Sequence, residues 1–136
     1  MRRAYVLDAN AVLDFVEDGP GARRVERLLE DAFKNGNPLL ISVVNWGEVF
    51  YHSWQQYGEE SARKTLADLS RLPVELVLVD LPQVLQAGEI KVRHKIPYVD
   101  CIAAALALER RAVLVTSDRD FEKLGRRVPI LWLTRP

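Results

Sequence analysis

The sequence has few of the residues that staple or spread a chain. It holds one cysteine, Cys101, and two widely separated histidines, His52 and His94. A single thiol makes no internal disulfide and no cysteine-based zinc site, and the histidines lack metal-motif spacing. Any bound metal must therefore be held by oxygen. No apolar run approaches the ~20 residues that cross a bilayer. The seven glycines and seven prolines are scattered, which excludes a low-complexity or disordered chain. The opening Met1-Arg2-Arg3-Ala4-Tyr5-Val6-Leu7-Asp8 meets a charge after only four apolar residues, too soon for the apolar centre of a secretory leader, so the expected address is the cytoplasm. Charge of one sign is also lacking, since 19 basic and 19 acidic side chains give a formal net charge of zero. A polyanion would have to be held by local patches and not by the field of the whole molecule.

What is present is 136 residues, 49% of them hydrophobic, an ordinary single globular domain spanning residues 1–136 that can bury a core unaided. Apolar stretches rich in Val, Ile and Leu recur at Ala4–Leu7, Leu39–Val44, Val74–Val79, Ala112–Thr116 and Ile130–Leu133, as buried strands of a parallel sheet do. Between them lie helical patterns. Val25, Leu28, Leu29, Ala32 and Phe33 form one stripe ahead of a stop at Gly36. Asn45–Tyr57 and Glu59–Leu72 predict two consecutive helices, Pro82–Lys95 a weaker one, and Tyr98–Arg111 one apolar on nearly every face. Strand and helix alternating over the whole length predict a three-layer α/β domain.

In open parallel sheets, ligands bind beyond the carboxyl ends of the strands. Four acids stand there: Asp8 after the first strand, Glu48 in the helix after the second, Asp100 opening the apolar helix, and Asp118 after the fourth strand. Each alone has a simpler use. Asp8 is a strand-end acid with Asn10 capping the next helix, Asp118 caps a short helix reaching Leu124, and Asp100 suits a helix dipole. Together, with no matched cations, they predict a divalent-metal site. Crowded carboxylates tend to hold protons, whereas Mg²⁺ or Mn²⁺ keeps them ionised and favours hard oxygen ligands. Such a metal activates water and polarises a phosphoryl oxygen, which makes phosphodiester hydrolysis the natural fit.

Four segments carry a family resemblance: Val6-Leu7-Asp8-Ala9-Asn10-Ala11-Val12-Leu13, Ser42-Val43-Val44-Asn45-Trp46-Gly47-Glu48-Val49, Tyr98-Val99-Asp100-Cys101-Ile102-Ala103-Ala104-Ala105 and Leu114-Val115-Thr116-Ser117-Asp118-Arg119-Asp120-Phe121. In that order the chain resembles the PIN-domain ribonucleases, and among them VapC-type toxins of toxin-antitoxin pairs, from residue 4 to about 133. The resemblance implies a parallel sheet of order 3-2-1-4-5, Mg²⁺- or Mn²⁺-dependent endonuclease activity on RNA, a homodimer and a silencing antitoxin. It places Asp8, Glu48, Asp100 and Asp118 on the family's acidic positions and Asn10 and Thr116 on its supporting ones. An RNA-maturation nuclease without antitoxin, and a non-catalytic binding module of the same fold, remain the alternatives. Cys101 departs from the family's alanine and is read as core. Asp120 is a second acid in its turn, read as a capping partner of Ser117. His52, four residues after Glu48, is read as a groove-lining or surface histidine, and His94 as solvated or facing phosphate.

Basic groups recur at Arg23, Arg24 and Arg27, at Lys91, Arg93 and Lys95, and at Arg119, Lys123, Arg126 and Arg127. The last set adjoins Asp118 and is the expected RNA track. The helix over Asn45–Tyr57 carries more aromatic surface than one core stripe uses, so Trp46, Phe50 and Trp54 are expected to meet a partner protein.

Overall fold

The computed structural model describes residues 3–135; Met1, Arg2 and Pro136 lie outside the described residues, and with them the first two positions of the expected leaderless start. Five short apolar strands, β1 (Tyr5–Leu7), β2 (Leu39–Ser42), β3 (Val74–Val77), β4 (Val113–Thr116) and β5 (Ile130–Trp132), pair in parallel in the order β3-β2-β1-β4-β5. One row of partners crosses the sheet through Glu75, Leu40, Val6, Leu114 and Ile130.

Successive side chains on a strand point to opposite faces, so each central strand feeds two cores. Val6, Leu40 and Leu114 join one, against α5 (Leu81–His94) and α6 (Tyr98–Arg110). Leu7, Ile41 and Val115 join the other, against α1 (Ala9–Val16), α2 (Ala22–Asn35), α3 (Val43–Tyr57) and α4 (Glu59–Leu69). The result is the expected three-layer α/β/α arrangement. Helix α6 is buried at every position from Cys101 to Ala107, which is why its sequence shows no polar face. Cys101 lies in this core with its thiol directed at the Ile96 carbonyl. Among the described residues no helix is long and apolar enough to cross a membrane.

Three local expectations are corrected. The strand expected over Leu39–Val44 stops at Ser42, whose Oγ accepts the Val44 N–H at 3.2 Å and caps α3; a cap outweighs the strand preference of Val43 and Val44. The cap of α1 is Asp8 and not Asn10. Phe33, placed on the core stripe of α2, is 79% exposed, because eight residues beyond Val25 the helix has turned roughly 80° past it. The stop at Gly36 is where expected, in the left-handed conformation at φ 62°, which glycine adopts without steric cost.

Candidate active site

Asp8 leaves β1 directly into α1, and the residue is only 2% exposed. One oxygen accepts the Ala11 N–H at 2.7 Å and the other the Thr116 hydroxyl at 2.5 Å. Thr116, the last residue of β4, is itself fully buried, and its Oγ1 accepts the Asp118 N–H at 2.9 Å. The ends of the two central strands are thus joined through one hydroxyl. A second tie lies beside it. Asn10 Oδ1 accepts the Ser117 N–H at 3.1 Å and the Ser117 hydroxyl as well, fixing the first turn of α1 to the segment after β4.

Asp118 caps the 3-10 turn Arg119–Leu124 by accepting the Asp120 N–H at 2.9 Å. This corrects the capping pair expected of Ser117 and Asp120: Ser117 is spent on Asn10, and the Asp120 carboxylate is free to join the acids. Asp100 enters from the opposite core, in the first turn of α6 behind Pro97. Ligand atoms of Asp100, Asp118 and Asp120 lie within 4.8 Å of one another. Glu48, on the second turn of α3, stands at the margin of this group and acts on Asp100 electrostatically.

The electrostatics follow from burial and crowding. Burial pushes the Asp8 carboxyl up to about 7 against the lowering effect of its two hydrogen bonds, and the charges of Asp100 and Asp118 add to the rise. Asp100 is also pushed up to about 7, by burial first and then by Asp118, Glu48 and Asp120. Glu48 is raised by partial burial and by Asp118, with His52 pulling the other way. These are the effects that desolvation and like charge have on a carboxyl. A hard divalent cation fits such a donor set, since it replaces missing protons and offsets the repulsion with oxygen ligands alone.

The other expected residues divide. Lys123 and Arg126 are exposed, whereas the Arg127 guanidinium is bound to Glu89 by two amines. His94 is not simply solvated: its ring meets the Lys123 carbonyl at 3.1 Å and Arg127 at 3.4 Å. Arg119 lies over the Trp132 ring at 4.2 Å and donates to the Thr134 carbonyl at 2.6 Å. On α3, Trp46 packs against the core with Leu66 and Leu72, while Phe50 and Trp54 meet edge to face at 5.5 Å with Arg63 over both. Trp54, Tyr51 and Tyr57 are exposed.

Two features had no role in the sequence reading. Asn45, one turn before Glu48, is fully buried with neither amide atom hydrogen-bonded; a polar side chain in an apolar first turn was the available signal. The placement of Arg24, whose amine donates to the Trp132 carbonyl at 2.6 Å across 108 positions of sequence, had no local signal.

A family model described as the PIN domain matches residues 5–127. The chain belongs to the PIN-domain family. Solved structures share its fold at low identity. VapBC from Salmonella typhimurium, solved bound to DNA, is 18% identical, covering 98% of this chain and 100% of that one with a TM-score of 0.76. VapBC2 from Rickettsia felis, bound to a DNA fragment from their promoter, is 20% identical over 94% of this chain and 97% of that one, with a TM-score of 0.75. VapC20 from Mycobacterium tuberculosis, a toxin that cleaves the sarcin-ricin loop, is 18% identical over 98% of this chain and 100% of that one, with a TM-score of 0.67. No curated protein matches the chain in sequence.

Proposed function

We propose that this PIN-domain chain, acting as one domain over residues 1–136, is a divalent-metal-dependent endoribonuclease and the toxin of a toxin-antitoxin pair in the cytoplasm. The observation that carries the reading is the convergence of Asp100, Asp118 and Asp120 beside Asp8 and Glu48, with Asp8 and Asp100 both pushed up to about 7. Mg²⁺ or Mn²⁺ is the fitting occupant; Asp100, Asp118 and Asp120 would hold it, with Asp8 and Glu48 beside them. When bound, such an ion supplies an activated water and charge stabilisation at a phosphoryl oxygen.

The protein's own groups do the rest. Thr116 fixes the Asp8 carboxylate and the Asp118 backbone together. Asn10 holds the Ser117 segment against α1. Lys123 and Arg126, exposed just beyond the acids, are suited to the phosphate backbone of the entering strand. Arg127 is committed to Glu89 and serves to anchor that segment.

For partners, Phe50 and Trp54 with the neighbouring Tyr51 and Tyr57 form an aromatic face on α3 suited to an antitoxin. Trp46 supports that helix from the core side. Exposed Leu81, Leu85 and Val92 on α5 form a separate stripe suited to a second copy of the chain.

The test is incubation of the purified protein with end-labelled single-stranded RNA in Mg²⁺, in Mn²⁺ and in EDTA. Cleavage in the metals and none in EDTA is expected, with loss in Asp8→Asn, Glu48→Gln, Asp100→Asn and Asp118→Asn. Binding without cleavage by the wild type under all conditions would support the non-catalytic module instead.

A further inference from the structure

Trp132 ends β5, at the outer edge of the sheet, and it lies between two clefts. One is lined by Pro20, Arg24, Arg119 and Arg135, the other by Arg126 with Gly125 and Pro129. In a chain with no net charge, four arginines lining the two clefts that meet at Trp132 are a concentration of positive charge. Among the described residues neither Arg24 nor Arg135 takes part in an ion pair, whereas Arg119 pairs with Glu122 at 3.5 Å.

The cleft is built and not merely charged. The Arg119 guanidinium lies 4.2 Å over the Trp132 ring, held there by the Thr134 carbonyl. Arg24 reaches over from the first turn of α2 and spends one amine on the Trp132 carbonyl. That leaves further donors of a planar cation beside an aromatic surface. Indole and guanidinium planes are surfaces on which unpaired bases stack, and arginines suit the adjoining phosphates.

Its place relative to the acids is fixed by the sheet. Trp132 is the register partner of Thr116, whose hydroxyl holds Asp8. Arg119 directly follows Asp118. Neighbouring strands lie about 4.8 Å apart, so the backbone of Trp132 is one strand over from the end of β4 that leads into Asp118 and Arg119.

We propose that the cleft formed by Arg24, Arg119 and Arg135 around Trp132 is a binding subsite for one nucleotide of single-stranded RNA next to the scissile phosphate, with the base on the Arg119–Trp132 platform and a phosphate on Arg24 and Arg135. The proposal rests on the nuclease reading for its substrate, and it concerns a part of the molecule that the acids do not define.

The experiment measures binding and cutting separately. Anisotropy of a short fluorescein-labelled single-stranded RNA is followed in EDTA, where no cleavage occurs, for the wild type, Arg24→Ala, Arg135→Ala, Trp132→Leu and Trp132→Phe, each checked by thermal melting. Trp132→Leu weakens binding about tenfold, within the range for losing one stacked base, and Trp132→Phe weakens it much less. Arg24→Ala lowers the slope of log affinity against log salt by about 0.7, as loss of one single-strand phosphate contact does. If Trp132→Leu does not fold, the two arginine variants decide. Unchanged affinity and salt slope in folded Arg24→Ala and Arg135→Ala overturn the proposal even if wild-type protein cuts RNA. Wild-type protein that binds through the cleft but never cuts in Mn²⁺ overturns the nuclease reading and leaves the cleft standing.

Discussion

The Thr116 hydroxyl donates to the Asp8 carboxylate at 2.5 Å and accepts the Asp118 N–H at 2.9 Å, so one buried side chain sets the positions of two of the acids. Thr116→Val keeps the shape and removes both bonds. It is expected to cost about 1–3 kcal/mol, the range for stranding buried polar groups, and to weaken Mn²⁺ binding. Thr116→Ser restores both. Urea denaturation and Mn²⁺ titration of the three proteins check this; a valine variant equal to wild type in both would contradict it.

A pH dependence follows from the same acids. Asp8 and Asp100 hold their protons up to about 7 in the folded, metal-free protein, whereas an ordinary aspartate ionises near 3.8. Folding therefore takes up protons between those limits, and the contribution of these two groups to stability falls as pH rises from 3.8 towards 7, then levels off. Asp100→Asn removes its share of the slope and raises the Tm of metal-free protein at about pH 8 by roughly a few degrees, on the usual size scaling. Mn²⁺ raises the wild-type Tm at that pH and raises that of the variant much less. Thermal melts of both proteins in EDTA and in Mn²⁺ across the pH range give the result.

Arg127 and Arg126 are neighbours in sequence with different surroundings: Arg127 is bound to Glu89 and Arg126 is exposed. Arg127→Ala is expected to lower the Tm slightly and leave RNA affinity unchanged, while Arg126→Ala does the reverse. Paired melting and anisotropy measurements separate the two. Equal effects on RNA affinity would mean that the Glu89 contact does not withdraw Arg127 from the substrate.

The sheet was readable because its central strands are buried on both faces, so Val6, Leu40, Leu114 and their neighbours appear as plain apolar runs. The acids were readable for a related reason. Asp8 and Asp118 follow strands and Asp100 opens a helix, where polar residues stand out against the apolar runs beside them, while Glu48 lies on the second turn of the helix that β2 leads into. Junction details were less legible, since Val43 and Val44 favour a strand by themselves and only the Ser42 cap turns them into helix. The stripe on α3 showed excess aromatics but not which faced outward: Trp46 turns to the core, and Phe50 and Trp54 meet each other under Arg63. The joining of Arg24 to Trp132 was not legible at all, because it depends on β5 returning to the sheet edge next to the first turn of α2.

The α3 aromatic face yields a further outcome. Trp54 is 42% exposed and makes its ring contact with Phe50, so Trp54→Ala leaves the fold intact. It is expected to reduce capture of the protein encoded beside this gene at least tenfold, the scale of an aromatic anchor at an interface. Co-purification with wild type and variant tests it; undiminished capture would place the antitoxin on another surface.

The most direct test of the central claim is calorimetric titration of Mn²⁺ into metal-free protein near neutral pH, using wild type, Asp100→Asn and Asp118→Asn. The carboxylates of Asp100, Asp118 and Asp120 lie within 4.8 Å of one another, and Asp8 and Asp100 hold protons up to about 7. The account therefore predicts saturable Mn²⁺ binding by the wild type with release of protons, and binding weakened at least tenfold in each variant. Saturable binding of equal strength in all three proteins, or none in the wild type, would contradict it.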